Sequence, residues 1–509
     1  MRNAHLLLFL GSLSALQAQQ LDPAFNGGSV SLQPGNQTVV RAVVQHADLG
    51  CTWAGSVAGD QFDILVGRTL NDGTPDPAFG TSGVMLLNRA TNSFEWGYDL
   101  IVLDDGRLIV GAMGLGTGTN EVILCRLLSD GTLDLTFGTQ GYAVVAAQSD
   151  SPNDLKVAIA LAPGGDIVAA TIGFGGSQGR QVTLMRFSPD GVQDPLFGGD
   201  GVAELDFVPG QADDQFAGLH VNTDGTILIA GHHAYNTAPT TTDLAAARLL
   251  ADGTLDATFG TGGVTLVDAG TNGDEDLTFG SALLPNGDLL LLGEVRTNPN
   301  PRIAVVVRLD PDGQLVTSFG NGGKLELDAG ETPLSENTRC IRAVPRPGQK
   351  KKKKKKSANG SSNVVLTALD DNGSLDASFG TNGYFRFGMG VRPEDLVFTA
   401  EGRLFIVAAG AGINLPSALF LALPSGTTGI PSRSHAELAA YPNPCRDRLT
   451  VEAEVGGTWA LHDTQGRTAA SGRLQVGRNS LDLSSRPVGI YLLRMQLGAV
   501  QQVFRIVRE

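Results

Sequence analysis

Residues 252–264 read DGTLDATFGTGGV, and the same phrase returns along the chain on Phe25, Phe79, Phe137, Phe197, Phe259, Phe319 and Phe379. The intervals between these phenylalanines are 54, 58, 60, 62, 60 and 60 residues. Such a period means one supersecondary unit copied in tandem. Outward from Phe259 the chain runs through GVTLV, a loop, LTFGSALL, the turn PNGD, LLLLGE, a second loop, IAVVVRL and DPDG. These apolar runs are short and bounded by Gly, Pro, Asn or Asp, the pattern of strands rather than helices. The four strands of a unit are named d, a, b and c in chain order.

A glycine stands in every a–b turn, at Gly50, Gly106, Gly165, Gly225, Gly287, Gly348 and Gly402. It supplies the positive φ that a tight hairpin requires. Seven units of four short antiparallel strands give an all-β fold, a seven-bladed β-propeller over residues 19–424. An open solenoid would instead need polar caps at its two ends. Here the array opens with a d strand (29–32) and closes with a c strand (418–423). The first d strand can therefore complete the last blade and remove both free edges. DGTLDATFG and its siblings resemble the bacterial delta-60 repeat, which implies a propeller; the similarity spans Leu21 to Leu423.

The remaining composition bounds the function class. The chain has 509 residues, 17% charged and 42% hydrophobic, and a formal charge of −15. That charge argues against nonspecific nucleic-acid binding. Residues 1–18, with Arg2, the apolar run Leu6–Leu10 and small residues up to Ala18, read as a secretory signal peptide. No later stretch has the 18 or more apolar residues of a membrane-spanning helix. A soluble, exported monomer is expected. Cys51, Cys125, Cys340 and Cys445 are scattered and form no disulfide scaffold.

Within the units, the phenylalanines are expected to plug between blades. The aspartate three residues earlier is expected to close an Asx turn, with Val316 in its place in one unit. Arg68, Arg126, Arg186, Arg248 and Arg308 end their c strands, and their repetition near the aspartates suggests an ion pair between blades. A second recurrence lies eleven residues before the a–b glycine: Glu95, Asp154, Asp214, Asp276 and Asn337. This ring enters the innermost strands, where it could hold a cation such as calcium or a basic ligand. Alternatively, each member caps a strand start by accepting local backbone amides. His232 and His233, assigned to a b–c loop, form a weak metal candidate without a third ligand at recognisable spacing. Residues 175–179 fit GxSxG formally, yet no helix follows to make a nucleophile elbow. No cofactor motif is identified.

Seven lysines, Lys350–Lys356, fall where the preceding unit has its b strand, Leu289–Leu292. Unpaired ammonium groups do not fit the buried face of such a strand. The run is read either as a basic loop for an acidic partner or as a foreign insertion or sequence error.

Residues 425–438 are a Gly/Ser/Pro-rich linker, and 439–509 hold six or seven short alternating strands, sufficient for a small β-sandwich. This segment contains Tyr441-Pro442-Asn443-Pro444, a Leu461-His-Asp463-Thr-Gln-Gly466-Arg467 turn and the strand PVGIYLLR with Gly489 and Tyr491. It resembles a type A sorting domain of the type IX secretion system. The resemblance implies recognition by that translocon and a destination outside the cell or on the outer-membrane surface.

The variable d–a and b–c loops share one face of such a propeller, so a ligand is expected there. The leading reading is a binding or adhesion scaffold for an extracellular protein or glycan. The others are a polysaccharide-active enzyme using Glu95, Asp154, Asp214 and Asp276, or a structural surface protein.

Overall fold

The computed structural model describes residues 4–10, 20–21, 29–32, 37–46, 50–58, 62–89, 94–115, 120–147, 156–174, 179–210, 213–235, 241–270, 275–296, 302–327, 336–343, 363–376, 383–388, 391–398, 404–410, 417–423, 440–441, 447–453, 457–463, 467–475, 477–484, 486–497 and 500–508. Regular structure among these residues is β-strand, apart from a single 3-10 turn at Phe197–Gly199. The chain divides into two compact units, Met1–Gly426 and Thr427–Glu509.

In the first unit, residues 37–87, 94–146, 157–205, 214–267 and 275–327 each form a four-stranded antiparallel meander, in the order a, b, c, d. The next sheet differs. Its a, c and d strands are Glu336–Ala343, Asn363–Leu369 and Tyr384–Gly388, but the second position is filled by Ala4–Leu10, parallel to both neighbours. The apolar run of the N-terminal segment thus takes the position assigned from sequence to the lysine tract, which itself lies outside the described residues. In the final sheet, Ser29–Leu32 pairs antiparallel with Ser417–Leu423, Leu32 opposite Ser417 and Ser29 opposite Phe420. The first d strand thus completes the last sheet, as strand order along the chain allows.

The recurring phrase builds the junction between one sheet and the next. Asp134 accepts the Thr136 amide at 3.1 Å, forming the Asx turn, and Phe137 follows fully buried. Gly138 N–H then donates to the Asp190 carbonyl of the following unit at 2.7 Å. Phe137 lies under Gly191 of that unit, where an added Cβ would meet the ring at 2.7 Å and φ is +80°. Only glycine leaves room for the ring and adopts that backbone without strain. Phe79, Phe197, Phe259 and Phe319 occupy the same position against Gly131, Gly253, Gly313 and Gly373. Each buried ring contributes roughly 1.5–3 kcal/mol.

The arginine pairs correct one expectation. The pair with the recurring aspartate is internal to its unit, Arg68–Asp76 at 2.6 Å, Arg126–Asp134 at 2.7 Å and Arg248–Asp256 at 2.7 Å, while Arg126 also reaches a carboxylate of the next unit, Asp190, at 3.4 Å. What recurs across to the neighbour is a bond from the same guanidinium to a main-chain carbonyl, as from Arg126 to Pro189 at 2.7 Å and from Arg68 to Ser129 at 2.7 Å. Where Val316 replaces the aspartate, Arg308 takes Asp288 from the a–b turn instead, at 2.7 Å.

In the second unit, Ala440–Tyr441, Arg448–Ala453 and Gly477–Asp482 form one sheet. Thr468–Leu474, Gly457–Asp463, Gly489–Leu497 and Val500–Arg508 form another, in that order. Leu449, Val451 and Leu481 of the first sheet share one buried core with Leu461, Leu493, Met495 and Ile506 of the second.

Candidate functional site

The innermost strands surround a cavity of ≈ 690 Å³. Five of them carry a β-bulge, at Arg41, Tyr98, Ala217, Phe279 and Glu394. A bulge inserts one unpaired residue and turns a side chain away from the regular alternation, and all five of these residues line the cavity. Four of them stand eight residues before the a–b glycine, so the position is periodic in the sequence. Polar groups of both signs share the wall. Arg41 lies over the Tyr98 ring at 4.5 Å and donates to Ser56 Oγ at 2.9 Å. Lys156 donates to the Phe216 carbonyl at 2.7 Å, and burial pushes its ammonium down to about 8, against the pull of Asp99.

The carboxylates of this wall tie neighbouring sheets together. Asp99 accepts the Leu100 amide at 2.8 Å and, from the next sheet, the Ile159 amide at 2.9 Å. Asp395 accepts Leu396 N–H at 2.8 Å and Val43 N–H of the first sheet at 3.1 Å. His220 and Ser281 form a further cross-sheet bond of 2.8 Å.

Of the five residues read from the sequence as a ring, the three described with their side chains, Glu95, Asp214 and Asp276, do not line this cavity. Glu95, Asp214 and Asp276 are buried at the starts of their innermost strands. Each accepts a backbone amide from the residue two places beyond the preceding d strand: Arg89 to Glu95 at 3.2 Å, Phe207 to Asp214 at 2.8 Å, Ala269 to Asp276 at 2.5 Å. Asp154 lies outside the described residues, and Asn337 sits in the strand Glu336–Ala343 with its side chain outside them.

His232 and His233 occupy a b strand, Ile227–Ala234, and not the loop assigned from sequence. Strand alternation turns them to opposite faces, so the pair cannot converge on one ion. His232 Nδ1 accepts the Thr278 amide at 3.2 Å, and burial lowers its pKa to about 4, helped by the charge of Lys156. His233 is buried against Asp214, with Nδ1 2.6 Å from the carboxylate. The nearby Tyr235 hydroxyl donates to Asp243 at 2.7 Å.

An aromatic group missed in the sequence lies where the first two units meet. Phe94 stacks on Trp96 with ring centroids 5.9 Å apart, and Phe62 packs on Trp96 at 5.5 Å. Phe94 is 36% exposed, while Phe62 and Trp96 are half-buried. The three stand at the starts of a c strand and an a strand, directly after variable loops.

Of the sorting-signal residues, Tyr491 is buried, and its hydroxyl donates to the Pro487 carbonyl at 2.7 Å. Gly489 opens the same strand. Tyr441 lies in the strand Ala440–Tyr441, whereas Pro442, Asn443, Pro444 and Gly466 fall outside the described residues.

This geometry is that of a β-propeller and a separate C-terminal β unit, and family comparisons distinguish the same two parts. Residues 439–509 match the family described as "Secretion system C-terminal sorting domain", and 103–137 and 223–259 match "Domain of unknown function (DUF5122) beta-propeller". The sorting domain marks a type IX secretion substrate, delivered to the cell surface or the extracellular space. No curated protein matches the chain.

Among solved structures, the Penicillium chrysogenum α-L-arabinanase complexed with arabinobiose is 12% identical, with 77% of this chain and 97% of that one covered and a TM-score of 0.40. A PL25 ulvan lyase is 9% identical over 78% and 96%, with a TM-score of 0.42. A glucose dehydrogenase is 12% identical over 77% and 98%, with a TM-score of 0.34. Among the described residues, no helix is long and apolar enough to cross a membrane.

Proposed function

We propose that the protein is an exported binding scaffold whose variable-loop face engages an extracellular glycan. The observation that carries this reading is the aromatic platform of Phe62, Phe94 and Trp96 at the loop ends. Partly exposed rings offer flat apolar faces beside polar surroundings, the surface a sugar ring packs against. The central cavity adds support: its volume is within the range of about 300–1,000 Å³ found for small-molecule sites, and its lining is mixed in charge.

An enzymatic reading draws less support. Glu95, Asp214 and Asp276 are enclosed and hold backbone amides. Asp99 and Asp395 on the cavity wall do the same. A general acid or base has to reach its substrate, and these carboxylates are committed to the scaffold.

Screening the purified protein against glycan and polysaccharide arrays, with protein ligands as a parallel arm, tests the proposal. Glycan binding weakened by Trp96→Ala is expected. Binding confined to proteins, or glycan binding indifferent to Trp96, would overturn it.

A further inference from the structure

Three junctions between units share one device, a buried acid at the start of the a strand that accepts a loop amide, and in two of them a basic side chain also partners the acid. At Glu95 the donor residue itself supplies it, since the Arg89 guanidinium lies 3.6 Å from one Glu95 oxygen and also bonds Glu121. At Asp214 the His233 imidazole supplies it, at 2.6 Å.

At Asp276 the corresponding residues are Ala269 and Val295, neither of which can carry charge. Two more acids close on Asp276: Asp268 from the loop, the equivalent of Asp206 beside Asp214 and His233, and Asp243 from the neighbouring c strand. One carboxylate oxygen from each of Asp243, Asp268 and Asp276 lies within 4.8 Å of the others. Asp276 is 1% exposed, its Oδ2 holds the Ala269 and Gly270 amides, and its Oδ1 has no hydrogen-bond partner. A buried carboxylate oxygen without a partner is costly, and among like charges more so. Burial raises the Asp276 pKa to about 6, and Asp268 and Asp243 push it further the same way. The ammonium of Lys324 bonds the main-chain carbonyl of Asp268 and pairs with none of the three carboxylates.

We propose that Asp243, Asp268 and Asp276 bind a hard divalent cation, of the calcium class, which does at this junction what Arg89 and His233 do at the other two. The donor set is all oxygen, as such ions require. The Tyr235 hydroxyl, bonded to Asp243, borders the site and offers an optical handle. This site is independent of the glycan platform, which lies at a different junction.

The test uses the full-length protein dialysed against chelator, with calcium alone as ligand and terbium as its luminescent substitute. Calcium should raise the melting temperature by several degrees, because a ligand that binds only the folded state stabilises it by mass action. Terbium excited through tyrosine should emit, and calcium should quench that emission by displacement. Asp276→Asn keeps the amide acceptor, removes the charge and should abolish both effects; Asp243→Asn should weaken them at least tenfold. Tyr235→Phe should dim the terbium signal while leaving the calcium shift in place. An unchanged melting temperature with calcium, or a shift that persists undiminished in both aspartate variants, would overturn the proposal.

Discussion

Arg126 Nε donates to Asp134 Oδ2 at 2.7 Å, and this pair, almost wholly buried, fastens two successive sheets. The aspartate holds the guanidinium in place; the guanidinium in turn covers the Phe137 ring at 5.0 Å and reaches the Pro189 carbonyl of the next unit. Asp134 is held below the usual carboxylate range, first by the Thr136 hydroxyl.

Truncating Arg126 should therefore damage stability and nothing else. Arg126→Ala removes the charged partner of a buried carboxylate, which keeps only its Thr136 bonds and the more distant Arg107, and removes the bond to the Pro189 carbonyl. Breaking a pair of this burial costs about 3–5 kcal/mol. Denaturant unfolding of the variant measures it. A loss below about 1 kcal/mol would show that the pair does not hold the junction.

Two glycines separate the effect of backbone from the effect of contact. Gly131 has φ +84° and a Cβ there would strike the Phe79 ring at 2.9 Å, while Gly262 has φ +64° with open space around it. Both alanine variants incur backbone strain of about 1–3 kcal/mol. Gly131→Ala adds overpacking and should cost at least 1 kcal/mol more than Gly262→Ala. Equal melting temperatures for the two variants would contradict the position given to Phe79.

His232 predicts a pH dependence with a definite sign. Its pKa in the folded protein, about 4, is below the ordinary value of about 6.5. Burial and the nearby charges of Lys156 and Arg296 oppose protonation, as does the Thr278 amide, which needs Nδ1 as its acceptor, while the charge of Asp213 favours it. The unfolded chain takes up the proton first, so the stability contributed by the neutral ring is complete above pH 6.5 and is lost as pH falls toward 4. His232→Asn should remove a loss on the order of 2 kcal/mol between pH 6.5 and 4.5. Asp276, whose raised pKa acts in the opposite direction, is common to both proteins and cancels in the comparison. Parallel stability curves for the two proteins would refute it.

The repeat phrase was readable because each of its residues has a local physical reason to recur: Phe137 for burial, Asp134 for its turn, Gly191 for its positive φ. Ring closure was readable because strand order along the chain limits how the last sheet can be completed. Arg308 turning to Asp288 was not readable, because the two are brought together by sheet pairing across 20 residues. The histidines were misplaced because the strand Ile227–Ala234 runs further than its apolar residues do. Glu95, Asp214 and Asp276 were identified by spacing, but spacing carries no information on which side chains partner them. That difference emerges only when Arg89, His233 and Ala269 are seen in equivalent surroundings.

The central claim is that the repeated residues are scaffold and the non-repeating loop face binds. Glycan affinity and melting temperature measured together on Trp96→Ala and Arg126→Ala test it most directly. The account predicts that Trp96→Ala loses affinity about tenfold or more, equivalent to about 1.4 kcal/mol, while its melting temperature falls less than that of Arg126→Ala. It predicts that Arg126→Ala melts earlier and binds normally while folded. Undiminished affinity in the Trp96 variant, or lost affinity in the folded Arg126 variant, would contradict it.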